Sequence, residues 1–128
     1  MTKYLLDTHV VLWLAENSPL LSTRAKDAIF DAASDKYVSI VSAWEVAIKI
    51  ASKKLNVEGG LPEFFKMLDD NGFYTLPVEK KHVLRLPALA GHHKDPFDRL
   101  LVVTAQVEGL TILTADENIH KYDVPHIW

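Results

Sequence analysis

The sequence contains no cysteine. Disulfides, thiolate zinc sites, iron–sulfur clusters and a cysteine nucleophile are thereby excluded. It also lacks any apolar run approaching the roughly 18 residues of a membrane-spanning helix. An excess of positive charge is missing too: 14 Lys and Arg face 17 Asp and Glu, a net charge of −3. Such a chain is not a globally basic nucleic-acid binder, so a local patch or a bound cation would have to attract any polyanion. The start, Met1-Thr2-Lys3-Tyr4, has neither the apolar length nor the cleavage site of a signal peptide, and a cytoplasmic location is expected. Repeats, low-complexity tracts and linkers are absent from the sequence. What is present is an ordinary globular composition, 128 residues with 48% hydrophobic and 24% charged, expected to form one domain over 1–128.

Short apolar runs alternate with helical patterns. Strands are expected at 4–6, 37–41, 73–78 (weakened by Pro77), 110–113 and 125–128. Helices are expected at 10–16, from an N-cap at Ser22 through about 32, at 43–54, 61–71, 80–86 and 96–108. Gly59-Gly60 breaks the chain, while Gly72 and Gly109 stop helices. Uniformly apolar strands separated by helices indicate a parallel sheet covered on both faces. The expected fold is a three-layer α/β/α sandwich with a central parallel sheet of four to five strands. Ligands of such sheets bind at the carboxyl ends of the strands.

Acidic residues recur at that edge. Asp7 directly follows the first strand, Glu45 lies just past the second, Asp98 opens the helix at 96, and Asp116 follows the strand at 110–113. Three of them also have a local reading as helix-start residues. Ser42-Ala43-Trp44-Glu45 and Thr114-Ala115-Asp116-Glu117 match capping boxes, and Asp95-Pro96-Phe97-Asp98 places an N-cap acid, a first-turn proline and a first-turn acid. Asp7 is harder to explain that way, because neighbouring Thr8 is able to cap by itself. Clustered carboxylates repel one another unless basic partners or a cation offset them. Oxygen donors without thiolates suit a hard ion, Mg²⁺ or Mn²⁺.

The segments Tyr4-Leu5-Leu6-Asp7-Thr8-His9, Trp44-Glu45-Val46-Ala47-Ile48-Lys49, His92-His93-Lys94-Asp95-Pro96-Phe97-Asp98-Arg99 and Thr114-Ala115-Asp116 occur in that order, ahead of a Tyr122-to-Trp128 ending. Together they closely resemble the PIN-domain ribonucleases, specifically the VapC-like toxins of bacterial toxin–antitoxin pairs, over essentially the whole chain. The resemblance implies Mg²⁺- or Mn²⁺-dependent cleavage of RNA. Its acidic quartet of catalytic and metal-binding residues falls on Asp7, Glu45, Asp98 and Asp116, with Thr114 as the small hydroxyl residue near the last acid. It also implies a homodimer and a cognate antitoxin, which often inserts a basic side chain into the acidic site. Ala115 stands where an Arg is frequent, and Ser52-Lys53 replaces a frequent Gly-Lys. The principal rival is a non-catalytic module of the same fold that binds RNA or protein.

Other residues have simpler expected roles. His92-His93 match no zinc spacing and read as an exposed loop pair. Asp95 reads as an N-cap, and Arg99 as a phosphate contact or the partner of an acid. Lys49, Lys53 and Lys54 read as a solvated helix end rather than an RNA track. Trp13, Trp44, Phe64, Phe65 and Phe73 read mostly as packing residues. Residues 10–14 are apolar beyond one helix face, so part of that stretch is expected to meet a partner. Without the four acids, 13 acidic residues face 14 basic ones, a net +1. The acidic excess therefore resides in the candidate site.

Overall fold

The computed structural model describes residues 2–128. Successive side chains of the first strand, β1 (Lys3–Leu6), point to opposite faces and enter two different cores. Leu6 joins Val10, Val11, Ala25, Ile29, Val46, Phe64 and Leu68 on one face. Leu5 joins Leu101, Val102, Ala105 and Ile119 on the other. The same alternation splits Ile112 from Leu113. The sheet is thus the middle of three layers, as its uniformly apolar strands predict.

The order along the chain is β1, α1 (Thr8–Ala15), α2 (Thr23–Phe30), β2 (Asp35–Ser39), α3 (Ile40–Ala51), α4 (Gly60–Asp70), β3 (Tyr74–Leu76), α5 (Lys80–Val83), a 3₁₀ turn (Leu86–Ala88), α6 (Pro96–Glu108), β4 (Thr111–Leu113), α7 (Glu117–His120) and β5 (His126–Ile127). The five strands pair in the order β3-β2-β1-β4-β5, all parallel. Leu5 is level with Tyr37 on one side and Ile112 on the other. The chain builds outward from β1 to β3, then returns to lay β4 on the opposite side of β1. That reversal opens a crevice beyond the carboxyl ends of β1 and β4.

Helix starts differ from expectation in three places, each for a local reason. Asp7 itself caps α1, accepting from the His9 amide, so the helix begins at Thr8 and Thr8 is free for other contacts. Ser39, not Ser42, caps α3 through the Val41 amide. Glu45 therefore lies in the second turn, where no free helix-start amide needs it. Asp116, not Thr114, caps α7. Asp95 and Gly109 cap α6 as expected, with Gly109 in the left-handed region at φ 69°. Most of residues 10–14 is accounted for within the chain: Val10, Val11 and Leu12 are buried, and Trp13 and Leu14 pack on the same core. No helix among the described residues is long and apolar enough to cross a membrane.

Candidate active site

The carboxyl end of β1 delivers Asp7 to the crevice, and the carboxyl end of β4 delivers Thr114 and then Asp116. Asp7 is buried, and its amide donates to the Leu113 carbonyl at 3.0 Å, which locks the two strand ends together. The buried Thr114 hydroxyl donates to Asp7 Oδ2 at 2.8 Å and accepts from the Asp116 amide at 3.0 Å. One hydroxyl thereby fixes two acids that lie far apart in sequence. Asp98 enters from the first turn of α6, whose start is set by Pro96 and by the Asp95 side chain accepting from the Phe97 amide at 2.8 Å. Glu45 enters from α3. That helix is tied to the start of α1 by a 2.8 Å hydrogen bond from the Thr8 hydroxyl to the Ser42 hydroxyl, both buried. Ser42 precedes Glu45 by three residues and so lies on the same helix face.

The electrostatics record how close these groups are. Burial pushes Asp98 upward, the negative charges of Asp7, Asp95 and Glu45 add to this, and His93 partly opposes them, leaving the carboxyl at about 7. Asp7 is also raised, mainly by burial, with the Thr114 hydrogen bond opposing and Asp116 adding. Burial acts against Asp116 as well, but hydrogen bonds from His93 and from the Asn118 amide outweigh it and hold the carboxyl below its ordinary value. Glu45 has one cationic neighbour on its own helix, Lys49 at 3.4 Å. Asp98 is repelled by Asp7 and Glu45, and Asp7 by Asp116, while the atoms near enough to share one ion are those of Asp98, Asp116 and His93; carboxylate oxygens without a thiolate suit a hard divalent cation. Beside Asp7 and Asp116 lies an open cleft of about 300 Å³, walled by His9, Trp13 and Ala115.

His93 departs from its expected role as an exposed loop residue. Its Nε2 is 2.7 Å from Asp116 Oδ2 and 3.1 Å from Asp98 Oδ2. Burial draws its pKa down, but the Asp116 hydrogen bond and the charge of Asp98 win, and the net shift is upward. Sequence spacing shows no zinc pattern for this residue. The available signal is the turn His93-Lys94-Asp95, which folds the ring back towards the start of α6. His92 instead lies edge-on to Tyr122, with ring centres 4.9 Å apart. Among the described residues Arg99 pairs with no acid: its guanidinium donates to the carbonyls of Leu89, Ala90 and His93. Trp44 is not a core residue; 59% exposed, it meets the Phe97 ring edge-on at 5.1 Å.

Comparison with known proteins agrees with this architecture. The sequence matches the PIN domain family over residues 4–125. No match is found among curated proteins. Among solved structures, the VapBC2 complex from Rickettsia felis bound to a promoter DNA fragment superposes with a TM-score of 0.75 at 11% identity, over 98% of each chain. VapBC-1 from nontypeable Haemophilus influenzae gives 0.71 at 14%, over 98% of this chain and 97% of that one. A toxin–antitoxin complex from Klebsiella pneumoniae gives 0.67 at 18%, over 98% and 96%. At such identities the likeness is one of fold.

Proposed function

The chain belongs to the PIN-domain family, and on that premise we propose that it is a metal-dependent endoribonuclease acting as the toxin of a toxin–antitoxin pair. What supports the reading is the charge coupling at the sheet's switch-point crevice: Asp98 is pushed up to about 7 by burial and by Asp7, Asp95 and Glu45, and Asp116 adds to the rise at Asp7. Asp7 and Asp98 would hold Mg²⁺ or Mn²⁺ directly, and Glu45 and Asp116 would complete the set. Such an ion supplies Lewis acidity: it makes water more acidic and offsets the negative charge of the phosphate. The acids also orient the attacking water, and Glu45 or Asp116 accepts its proton. Water adds to phosphorus opposite the leaving 3′-oxygen, so the products carry 5′-phosphate and 3′-hydroxyl ends. Thr114 keeps Asp7 in place through its hydrogen bond.

On this reading residues 1–128 work as one domain in the cytoplasm, where RNA is the substrate. An antitoxin partner is supported by the neighbouring structures, which are toxin–antitoxin complexes. A homodimer is supported by the exposed stripe Ile40, Trp44 and Ile48 along α3. The test is cleavage of an RNA panel by wild type, Asp7→Asn and Asp98→Asn, with Mg²⁺, with Mn²⁺ and with chelator. Cleavage should require the cation and fall by more than about 100-fold in each variant, the upper end of the loss seen for residues that merely support a metal site. Cyclic phosphate ends without a cation requirement would refute the mechanism. Folded protein that binds RNA but never cuts it would favour the non-catalytic module.

A further inference from the structure

We propose that His93 is a positioning residue for this site, a fixed N–H donor that holds Asp116 beside Asp98 for the cation without ligating it. The inference rests on the metal-dependent reading above and specifies how its acids are held.

The Asp95 amide lies 3.1 Å from His93 Nδ1 and has only a hydrogen to offer. Nδ1 must therefore present its lone pair, which places the proton of the neutral ring on Nε2. That N–H donates to Asp116 Oδ2, 2.7 Å away, while Asp98 Oδ2 lies 3.1 Å from the same nitrogen as a charge neighbour and not as a hydrogen-bond acceptor. The three groups lie near enough together to look like a ligand trio. Ligation through Nε2 would require its proton to leave or to move to Nδ1, and on Nδ1 it would face the Asp95 N–H donor to donor.

The ring is not free to turn away from the acids. Its backbone amide donates to the Tyr122 hydroxyl at 2.8 Å, and its carbonyl accepts from Arg99 at 3.2 Å. Tyr122 and Arg99 also hold the Ala90 carbonyl, which clamps residues 89–93. The same device recurs away from the crevice. His82 Nδ1 accepts from the Glu79 amide at 2.9 Å, and its Nε2 lies 2.9 Å from Glu108 Oε1. There Lys81 completes the group at 2.9 Å from the same oxygen, so a histidine pinned in this way serves to hold a carboxylate. At His93 the same arrangement joins acids from two elements, the first turn of α6 and the cap of α7.

Calorimetric titration of Mg²⁺ and Mn²⁺ into wild type, His93→Ala and His93→Gln, with pulsed electron paramagnetic resonance on the Mn²⁺-loaded wild type, tests this. His93→Ala should weaken both ions by a similar factor of about 10. His93→Gln, whose amide also donates, should recover part of the loss, and the wild-type spectrum should lack coupling to a directly bound nitrogen. Nitrogen coupling, or a loss for Mn²⁺ far greater than for Mg²⁺, would make His93 a ligand and overturn the inference while leaving the metal-dependent reading intact. Unchanged affinities in His93→Ala would reduce His93 to a structural residue and overturn it as well. Wild type that binds neither ion would remove the metal-dependent reading itself, and this inference with it. The spectrum is decisive even where a variant does not fold.

Discussion

Asp98 is held well above its ordinary value in the crevice, and that has a thermodynamic consequence. Its carboxyl is raised from 3.8 to about 7, by burial first and then by the charges of Asp7, Asp95 and Glu45. Between those values the folded chain binds more protons than the unfolded one, so stability falls as the pH rises through that window. Asp116 is depressed, so its contribution disappears only as the pH drops below its ordinary 3.8, outside this window. In chelator, the melting temperature should therefore decline from mildly acidic to neutral pH. Asp98→Asn should flatten the decline and melt above wild type at neutral pH. A variant that melts below wild type there would show that the carboxylate is not under repulsion.

Secondary-structure elements place the acids through their starts. Asp7 and Asp116 each give one carboxylate oxygen to a helix-start amide, and the other meets Thr114 or His93. Capping and site-building are thus two uses of one side chain, which is why a local capping pattern does not separate them. Glu45 is different, because α3 begins at Ile40 and leaves it no capping work. The hydroxyl that would have capped a later start, Ser42, is taken up by Thr8. Thr114 is the hinge of the arrangement at this scale, since it serves the ends of both β1 and β4. Thr114→Val should cost about 1–3 kcal/mol in denaturant unfolding, the penalty for leaving buried polar groups unsatisfied. Thr114→Ser, which keeps the hydroxyl, should lose markedly less. Equal losses in the two would assign the effect to the methyl group and its packing.

In the whole molecule, the strand order converts these local starts into one site. Because β1 is central and β4 lies on the side opposite β2, the crevice forms between the two strands that end in Asp7 and Thr114. A cation bound there by several elements binds the folded chain and not the unfolded one. At a concentration 100 times its dissociation constant it should stabilise by about 2.7 kcal/mol. Mg²⁺ or Mn²⁺ should therefore raise the melting temperature of wild type and leave that of the Asp7→Asn, Asp98→Asn double variant unchanged. An equal rise in the double variant would place the cation elsewhere. The acidic excess behind the net −3 has a location in this picture, the crevice. On the proposed function, a cation in place would relieve the repulsion between these acids and an RNA phosphate.

The alternation of strands and helices, the parallel sheet, the cap at Asp95 and the stop at Gly109 were legible in the sequence, and Asp7, Glu45, Asp98 and Asp116 stood out there as candidate site residues. These follow from apolar periodicity and from capping chemistry within a few residues, which are local. The true starts of α1, α3 and α7 were less legible, because two residues within three positions of each other could cap in each case and contacts with other elements chose between them. Long-range packing brings Thr114 to Asp7 across 107 residues and His93 to Asp116 across 23. It also turned Arg99 onto backbone carbonyls rather than towards an acid. Such pairings depend on strand order and on how α6 packs against the sheet, and no spacing along the chain encodes which distant hydroxyl or imidazole will face a buried carboxylate.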